Sequence, residues 1–381
     1  MANFKSKLQS VGTSIFTEMS MLANQHQAIN LSQGFPEFDT PDFLKQETQS
    51  AIEKGINQYA PSIGLEALLT SIQSLVSKFY GAKLNLDNIT VTSGATEALF
   101  VAIQTLVSAG DEVIVFDPAY DSYEPSVNLA GGKCVHIPLE APTYQIDWEK
   151  VKRAVNVKTK AIIINTPHNP TGTILSASDL NELTNIVTQN NLYLISDEVY
   201  EFITFDGNRH ESVLRYPELF ERSFVVSSFG KTFHCTGWKL GYCVAPKLLS
   251  AEFRKIDQYV TFSSFTPAQI GIASMLNNQI NHVSELSGFY QEKRDRLVKA
   301  LEGSKFKTLP SKGTYFVLAD YSEISELDDR DFCHWLTKEK GVALIPLSPF
   351  YETDPKQNIV RFCFAKNDQT LIEAANILTL L

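Results

Sequence analysis

The sequence predicts an α/β protein with a mainly parallel central sheet, helices on both of its faces, and a smaller α+β domain. Three observations predict it. Short apolar runs alternate with amphipathic stretches through the middle of the chain. Several of those runs are apolar at consecutive positions, as strands buried on both faces must be. Polar, proline-rich and glycine-rich motifs follow the runs, which puts them together beyond the carboxyl ends of the strands, where open sheets bind ligands.

In chain order, strands are expected at residues 88–92, 112–116, 133–137, 160–164, 192–196, 223–227 and 240–244. Helices fit between them, for example at 95–108 and 176–189. The texture then changes: a long helix is expected near 281–304, followed by shorter strands at 314–318, 342–345 and 359–364. The N-terminal segment is expected to join this last part. The predicted division is therefore a large α/β domain over 40–285 and a discontinuous small domain made of 1–39 and 286–381.

Composition narrows the function. The chain has 381 residues, 44% hydrophobic, which is ample for a sizeable core. A net charge of -10 argues against nucleic acid as the main partner. No stretch reads as a secretion signal or a bilayer span, and Cys134, Cys235, Cys243, Cys333 and Cys363 form no CxxC pair. A cytoplasmic protein with reduced thiols is expected. No His, Cys or acid set shows zinc or calcium spacing, so no metal is expected; His168, His210 and His234 read as structural or surface residues.

The most informative stretch is Ser227-Ser228-Phe229-Gly230-Lys231-Thr232-Phe233, with Lys239 eight residues beyond Lys231. A lysine that forms an imine needs a short ordered turn and surroundings that keep its amine from being permanently protonated. The stretch resembles the cofactor-lysine motif of fold-type I, pyridoxal-phosphate-dependent aminotransferases. Other parts of such a site can be read beside it. Ser93-Gly94-Ala95-Thr96 opens a helix straight after a strand, a ready anion site, to which Ser228 and Lys239 add a hydroxyl and a cation. Asp197, at the end of an apolar strand, is placed to keep a pyridine nitrogen protonated. Tyr200 and Asn169 can donate hydrogen bonds to a ring oxygen, and Tyr120 is a candidate to stack on the ring face. Arg361 is a lone cation in an apolar strand, suited to a carboxylate. Gly34 lets backbone approach a ligand closely. Taken singly, each of these also reads as a cap, core packing or a turn.

Together the motifs are specific. Asn165-Thr166-Pro167-His168-Asn169-Pro170-Thr171-Gly172, Ser196-Asp197-Glu198-Val199-Tyr200, Ser228-Phe229-Gly230-Lys231-Thr232-Phe233 and Arg361-Phe362-Cys363-Phe364-Ala365-Lys366 occur in order. Gln33-Gly34-Phe35-Pro36 and Asn57-Gln58-Tyr59-Ala60-Pro61 precede them. The chain resembles class I aminotransferases of the kynurenine/glutamine-transaminase-K branch, most closely that branch's bacterial methionine-using group. The resemblance implies a homodimer with shared active sites, pyridoxal 5'-phosphate as cofactor, and ping-pong transfer of an amino group to a 2-oxo acid. It makes Lys231 the Schiff-base lysine and proton carrier, and Asp197 the pyridinium partner. Asn169 and Tyr200 would hold the ring oxygen, and Tyr120 would stack. Ala95, Thr96, Ser228 and Lys239 would bind phosphate, with Tyr59 reaching the phosphate of the neighbouring subunit. Arg361 and Gly34, with Asn169, would bind the substrate carboxylate.

The substrate side chain is expected to be apolar, thioether or aromatic. The first arginine is Arg153, so the early segments contain none; Phe16, Phe262 and Phe265 offer an apolar wall instead. A cysteine-conjugate β-lyase on the same scaffold, or a ligand sensor without turnover, are the alternatives; the chain shows no basic segment for the DNA-binding domain such sensors usually carry. The Asn169–Pro170 peptide is expected to be cis.

Overall fold

In the computed structural model, which describes residues 5–9 and 11–381, the seven strands expected in the middle of the chain form one sheet. Across it run Ile89–Thr92, Gly241–Val244, Ser223–Ser228, Tyr193–Asp197, Thr159–Asn165, Glu112–Asp117 and Lys133–Pro138. Gly241–Val244 is antiparallel to both neighbours, and every other adjacent pair is parallel. Six strands therefore point their carboxyl ends to one edge.

The consecutive apolar runs are explained by the pleat. Ile114, Ile162, Ile164, Leu194 and Val225 pack into one core, and Val113, Val115, Ala161, Ile163, Ile195 and Val226 into the core on the opposite face. Burying each such isoleucine or valine contributes roughly 1.5–3 kcal/mol. Helix Ala95–Leu106 follows the first strand; it stops two residues short of the expected end because Val107 turns extended. Helix Ala177–Gln189 begins after Ser176, which caps it reciprocally with Asp179.

The later elements form a four-stranded antiparallel sheet in the order Ile345–Pro346, Ile359–Cys363, Phe316–Asp320 and Lys307–Thr308. Three expectations need correction here. The strand expected at 342–345 is two: Val342–Ala343 pairs in parallel with Ile29–Asn30, while Ile345–Pro346 pairs with Ile359–Cys363. The strand expected at 314–318 starts at Phe316, because Thr314 has a φ of 66° and breaks the run. The long helix is Asn281–Ala300, ending before a turn at Gly303 with φ 81°.

The pairing of Ile29–Asn30 with Val342–Ala343 ties the N-terminal segment to the C-terminal elements. Helix Ile15–His26 adds Glu18, which accepts from Arg330 and His334. This brings Phe16 and Gly34 over the carboxyl edge of the large sheet. No described helix is long and apolar enough to cross a membrane.

Candidate active site

A cavity of about 330 Å³ opens at that edge. The strand ends supply its floor: Asn165 and Asp197 are the last residues of adjacent parallel strands and lie in register. Ser228 ends the next strand, and Lys231 stands in the single helical turn Phe229–Thr232 that follows.

At one end, Gly94 precedes helix Ala95–Leu106 with a φ of 85°, and Thr96 and Ser228 also line the space. The first N–H groups of a helix have no partner within it. The Lys239 side chain lies against this start: a Cβ built on Gly94 would meet Lys239 Cε at 3.4 Å and Nζ at 3.5 Å. A Cβ on Gly241 would come within 2.6 Å of the Ser227 carbonyl oxygen and 3.1 Å of the Ala95 nitrogen. The backbone thus closes tightly around a small concave cradle with a cation on its rim.

In the middle, burial pushes the Asp197 carboxyl up to about 6. It accepts from Tyr123 Oη at 2.6 Å. Tyr120, at the cavity wall, packs edge-on to Tyr123 with centroids 5.7 Å apart. Burial pulls the Lys231 amine down to about 8. Its Nζ lies 2.9 Å from Tyr315 Oη and 3.4 Å from the Gly34 carbonyl oxygen. Tyr200 lines the cavity beside them.

At the far end, Arg361 is fully buried on strand Ile359–Cys363. Its guanidinium donates to Asn169 Oδ1 at 2.8 Å and to the Ser32 carbonyl at 3.0 Å. It stacks 3.8 Å from the Phe316 ring centroid, and Phe16 lies 5.3 Å away.

Most of the residues singled out in the sequence therefore share one cavity. Tyr59 and Phe262 do not line it: their rings touch each other, 5.4 Å apart, and stand 81% and 46% exposed. Phe265 is 51% exposed. The Asn169–Pro170 peptide is cis, as are three other X-Pro bonds. Glu198 is a structural acid, held by Ser196, His210 and the Val213 N–H. Burial lowers His168 to about 4 and His234 to about 3, which suits structural histidines. Among the described residues no acid, His or Cys cluster has the makings of a metal site.

Three residues in or against the site escaped the sequence reading, Asn165, Tyr123 and Tyr315, as did Glu201 in the layer behind it. Asn165 anchors the turn by accepting from the Asn169 N–H at 2.7 Å and donating to the Asp197 carbonyl at 2.9 Å. Glu201 sits beneath the lysine strand and accepts from Tyr80, Ser227 and Tyr242. Only Asn165 had a local signal, as the first residue of its Asn-Thr-Pro motif.

The profile of the family "Aminotransferase class I and II" matches residues 26–378. The chain belongs to that family. The methionine aminotransferase of Escherichia coli (strain K12) is 50% identical to this aminotransferase over 372 residues, covering 97% of this chain and 96% of that one. A kynurenine–oxoglutarate transaminase of Dictyostelium discoideum is 38% identical, covering 96% and 93%. A solved Escherichia coli structure, assigned a methionine aminotransferase function, superposes with a TM-score of 0.97 at 50% identity, covering 99% of both chains.

Enzymes of this family use pyridoxal phosphate, and this aminotransferase does too. Its residues fit the group. The cradle opens at Gly94, whose φ of 85° favours glycine, onto the first N–H groups of a helix and has a lysine on its rim, which suits a phosphate. Asp197 is a carboxylate whose proton affinity is raised by burial, against the pull of Tyr123 and Lys231, and a protonated ring nitrogen is a partner that would favour its charged form. Lys231 lies between the two ends with its amine tuned near neutrality.

Proposed function

We propose that this aminotransferase takes an apolar, thioether or aromatic L-amino acid as donor, methionine foremost, and passes its amino group to a 2-oxo acid. The observation that carries the substrate class is the surroundings of Arg361. The guanidinium is wrapped by Phe316, Phe16 and Phe350, with centroids at 3.8, 5.3 and 5.8 Å. The cavity lining holds no second arginine. One guanidinium pairs with the carboxylate that every α-amino acid carries. With Lys231 and Lys239 given over to the cofactor, a second carboxylate on the side chain would be buried without a cation of its own, which costs several kcal/mol. Likeness to the Escherichia coli methionine aminotransferase supports the same class.

Each residue has work suited to its place. Ala95, Thr96, Ser228 and Lys239 would hold the cofactor's phosphate, Asp197 its ring nitrogen, and Asn169 and Tyr200 its ring oxygen. Tyr120 would cover one face of the ring. Arg361, oriented by Asn169 and Ser32, would bind the substrate carboxylate, with Gly34 closing over it and Phe16 against the side chain. When bound, the cofactor supplies an aldehyde that condenses with amines and a ring that accepts the electron pair of the breaking Cα–H bond. Lys231 serves as the amine that anchors the cofactor and as the base that removes the Cα proton. An amine poised at about 8 can both take and return that proton near neutral pH.

Two further parts of the reading go with this. The exposed Tyr59–Phe262 pair would complete the site of a second copy of the chain, which makes the working unit a homodimer; the aromatic exposure of Tyr59, Tyr259 and Phe265 supports it. The chain would divide into a large unit over 40–285 and a small one made of 1–39 and 286–381, and would work in the cytoplasm.

A donor panel tests the substrate class: methionine, phenylalanine, kynurenine and aspartate, each against several 2-oxo acids. The expected result is a kcat/KM for methionine about a hundredfold or more above that for aspartate, as an unpaired buried carboxylate demands. Aspartate used more efficiently than the other three would overturn it.

A further inference from the structure

The hydroxyl of Tyr315 lies beside that of Tyr200 and makes two close hydrogen bonds that bear on the reactive lysine. It donates to the Gly34 carbonyl at 2.6 Å. With its proton committed there, its oxygen presents a lone pair to Lys231 Nζ, 2.9 Å away. The amine also reaches the Gly34 carbonyl directly, at 3.4 Å. Lysine, phenol and backbone carbonyl thus make a closed set of three.

The surrounding chain is bent to hold this arrangement. Thr314, directly before Tyr315, has a φ of 66°, where a β-branched residue is a genuine outlier. It is held there by its N–H, which donates to Ile203 O at 3.0 Å, and by its hydroxyl, which accepts from the Phe316 N–H at 3.0 Å. On the other side, a Cβ at position 34 would lie 2.9 Å from Phe316 Cζ, so any larger residue there would have to push the Phe316 ring aside. Backbone strain on one side and a close approach on the other converge on the phenol.

We propose that Tyr315 is a positioning residue for Lys231: its phenol oxygen takes the ε-amine whenever the amine is free and holds it against the Gly34 carbonyl. The inference rests on Lys231 being the reactive amine. Its consequence is a sustained proton affinity. The groups facing Lys231 are Asp197 and Cys363, which favour the ammonium, Lys239 and Arg361, which oppose it, and the rings of Tyr200 and Tyr315 at 5.6 and 5.5 Å. Burial outweighs them all and favours the neutral amine. A neutral acceptor within hydrogen-bond reach stabilises the charged form against that burial. Loss of the hydroxyl therefore moves the amine's midpoint down.

Tyr315→Phe removes the hydroxyl and keeps the ring that packs against Tyr200, Tyr290 and Phe316. In the full-length protein stripped of cofactor, Lys231 acylation is followed against pH by mass spectrometry of its peptide. The midpoint is expected about one pH unit lower in Tyr315→Phe than in wild type. In the loaded enzyme the acid limb of the kcat profile is expected to move down by the same amount. There kcat falls about tenfold while KM for the amino acid stays within about twofold, as for a group that positions the base without touching substrate. An unchanged labelling midpoint, in a variant that unfolds at the wild-type temperature, overturns the proposal. Because that midpoint is read without cofactor or substrate, its failure leaves the proposed activity untouched, and a failed donor panel leaves the midpoint untouched.

Discussion

At Lys231 and Asp197 the requirements of chemistry oppose those of folding. Burial holds Lys231 at about 8 against an ordinary 10.5, so the folded state resists its charge. The penalty is fully present below the folded value and vanishes above the unfolded one. Lys231→Met is therefore expected to abolish transamination and to stabilise the cofactor-free protein at pH 7 by about 3 kcal/mol, with no gain at pH 11. Thermal unfolding of both proteins at the two pH values checks it. Asp197 is the mirror case: raised to about 6 from 3.8, it costs stability above pH 6 and none below its unfolded value. Asp197→Asn keeps the Tyr123 donor supplied with an acceptor. It is expected to unfold at higher temperature than wild type at pH 8, to lose that advantage at pH 4, and to transaminate about a hundredfold more slowly. An Asn variant with wild-type turnover would show that the carboxylate has another duty.

At the scale of elements, the site depends on strands and helix ends meeting at close range. Gly241 begins a strand antiparallel to Ser223–Ser228 and faces Ser227 O and the Ala95 N–H from the gap between them. Gly241→Ala is expected to destabilise the protein by about 1–3 kcal/mol through overpacking and to weaken cofactor binding. Denaturant unfolding and cofactor titration measure the two effects separately. Strand Ile359–Cys363 places Arg361 in register with Leu318 and Ile345, so its guanidinium emerges over Phe316. Arg361→Lys is expected to raise KM for amino acids about tenfold or more with cofactor affinity unchanged, since an ammonium cannot reproduce a planar fork. Steady-state kinetics beside a cofactor titration test this. The element boundaries were legible in the sequence wherever both ends carried local signals. Ser176 and Asp179 cap helix Ala177–Gln189, and apolar runs mark the strands. They were not legible at 342–345, where one apolar run serves two sheets and only the pairing partners divide it.

For the whole molecule, the exposed pair Tyr59 and Phe262 states the main expectation. Sedimentation should give twice the 42.6 kDa chain. Mixing Tyr59→Ala chains with Arg361→Ala chains should regain activity that neither homodimer has, because one of the hybrid's two sites then carries neither fault. No recovery after verified exchange of chains would place Tyr59 outside the shared site.

What the sequence determined by itself were the strands of the large sheet, the order of the motifs, and hence the edge at which chemistry gathers. These follow from apolar periodicity and from turn residues that act within a few positions of each other. Lys231, Asp197, Asn169 and Arg361 could be singled out as candidates because each stands in a short motif at or beside the end of an apolar run. Tertiary structure alone decided which groups tune them. Tyr315 meets Lys231 across 84 positions, Tyr123 meets Asp197 across 74, and Arg361 meets Asn169 across 192. A tyrosine in an apolar stretch reads as core packing until the fold shows where its hydroxyl ends. Burial, which sets the proton affinities of the lysine and the aspartate, is likewise a property of the closed molecule and not of any segment.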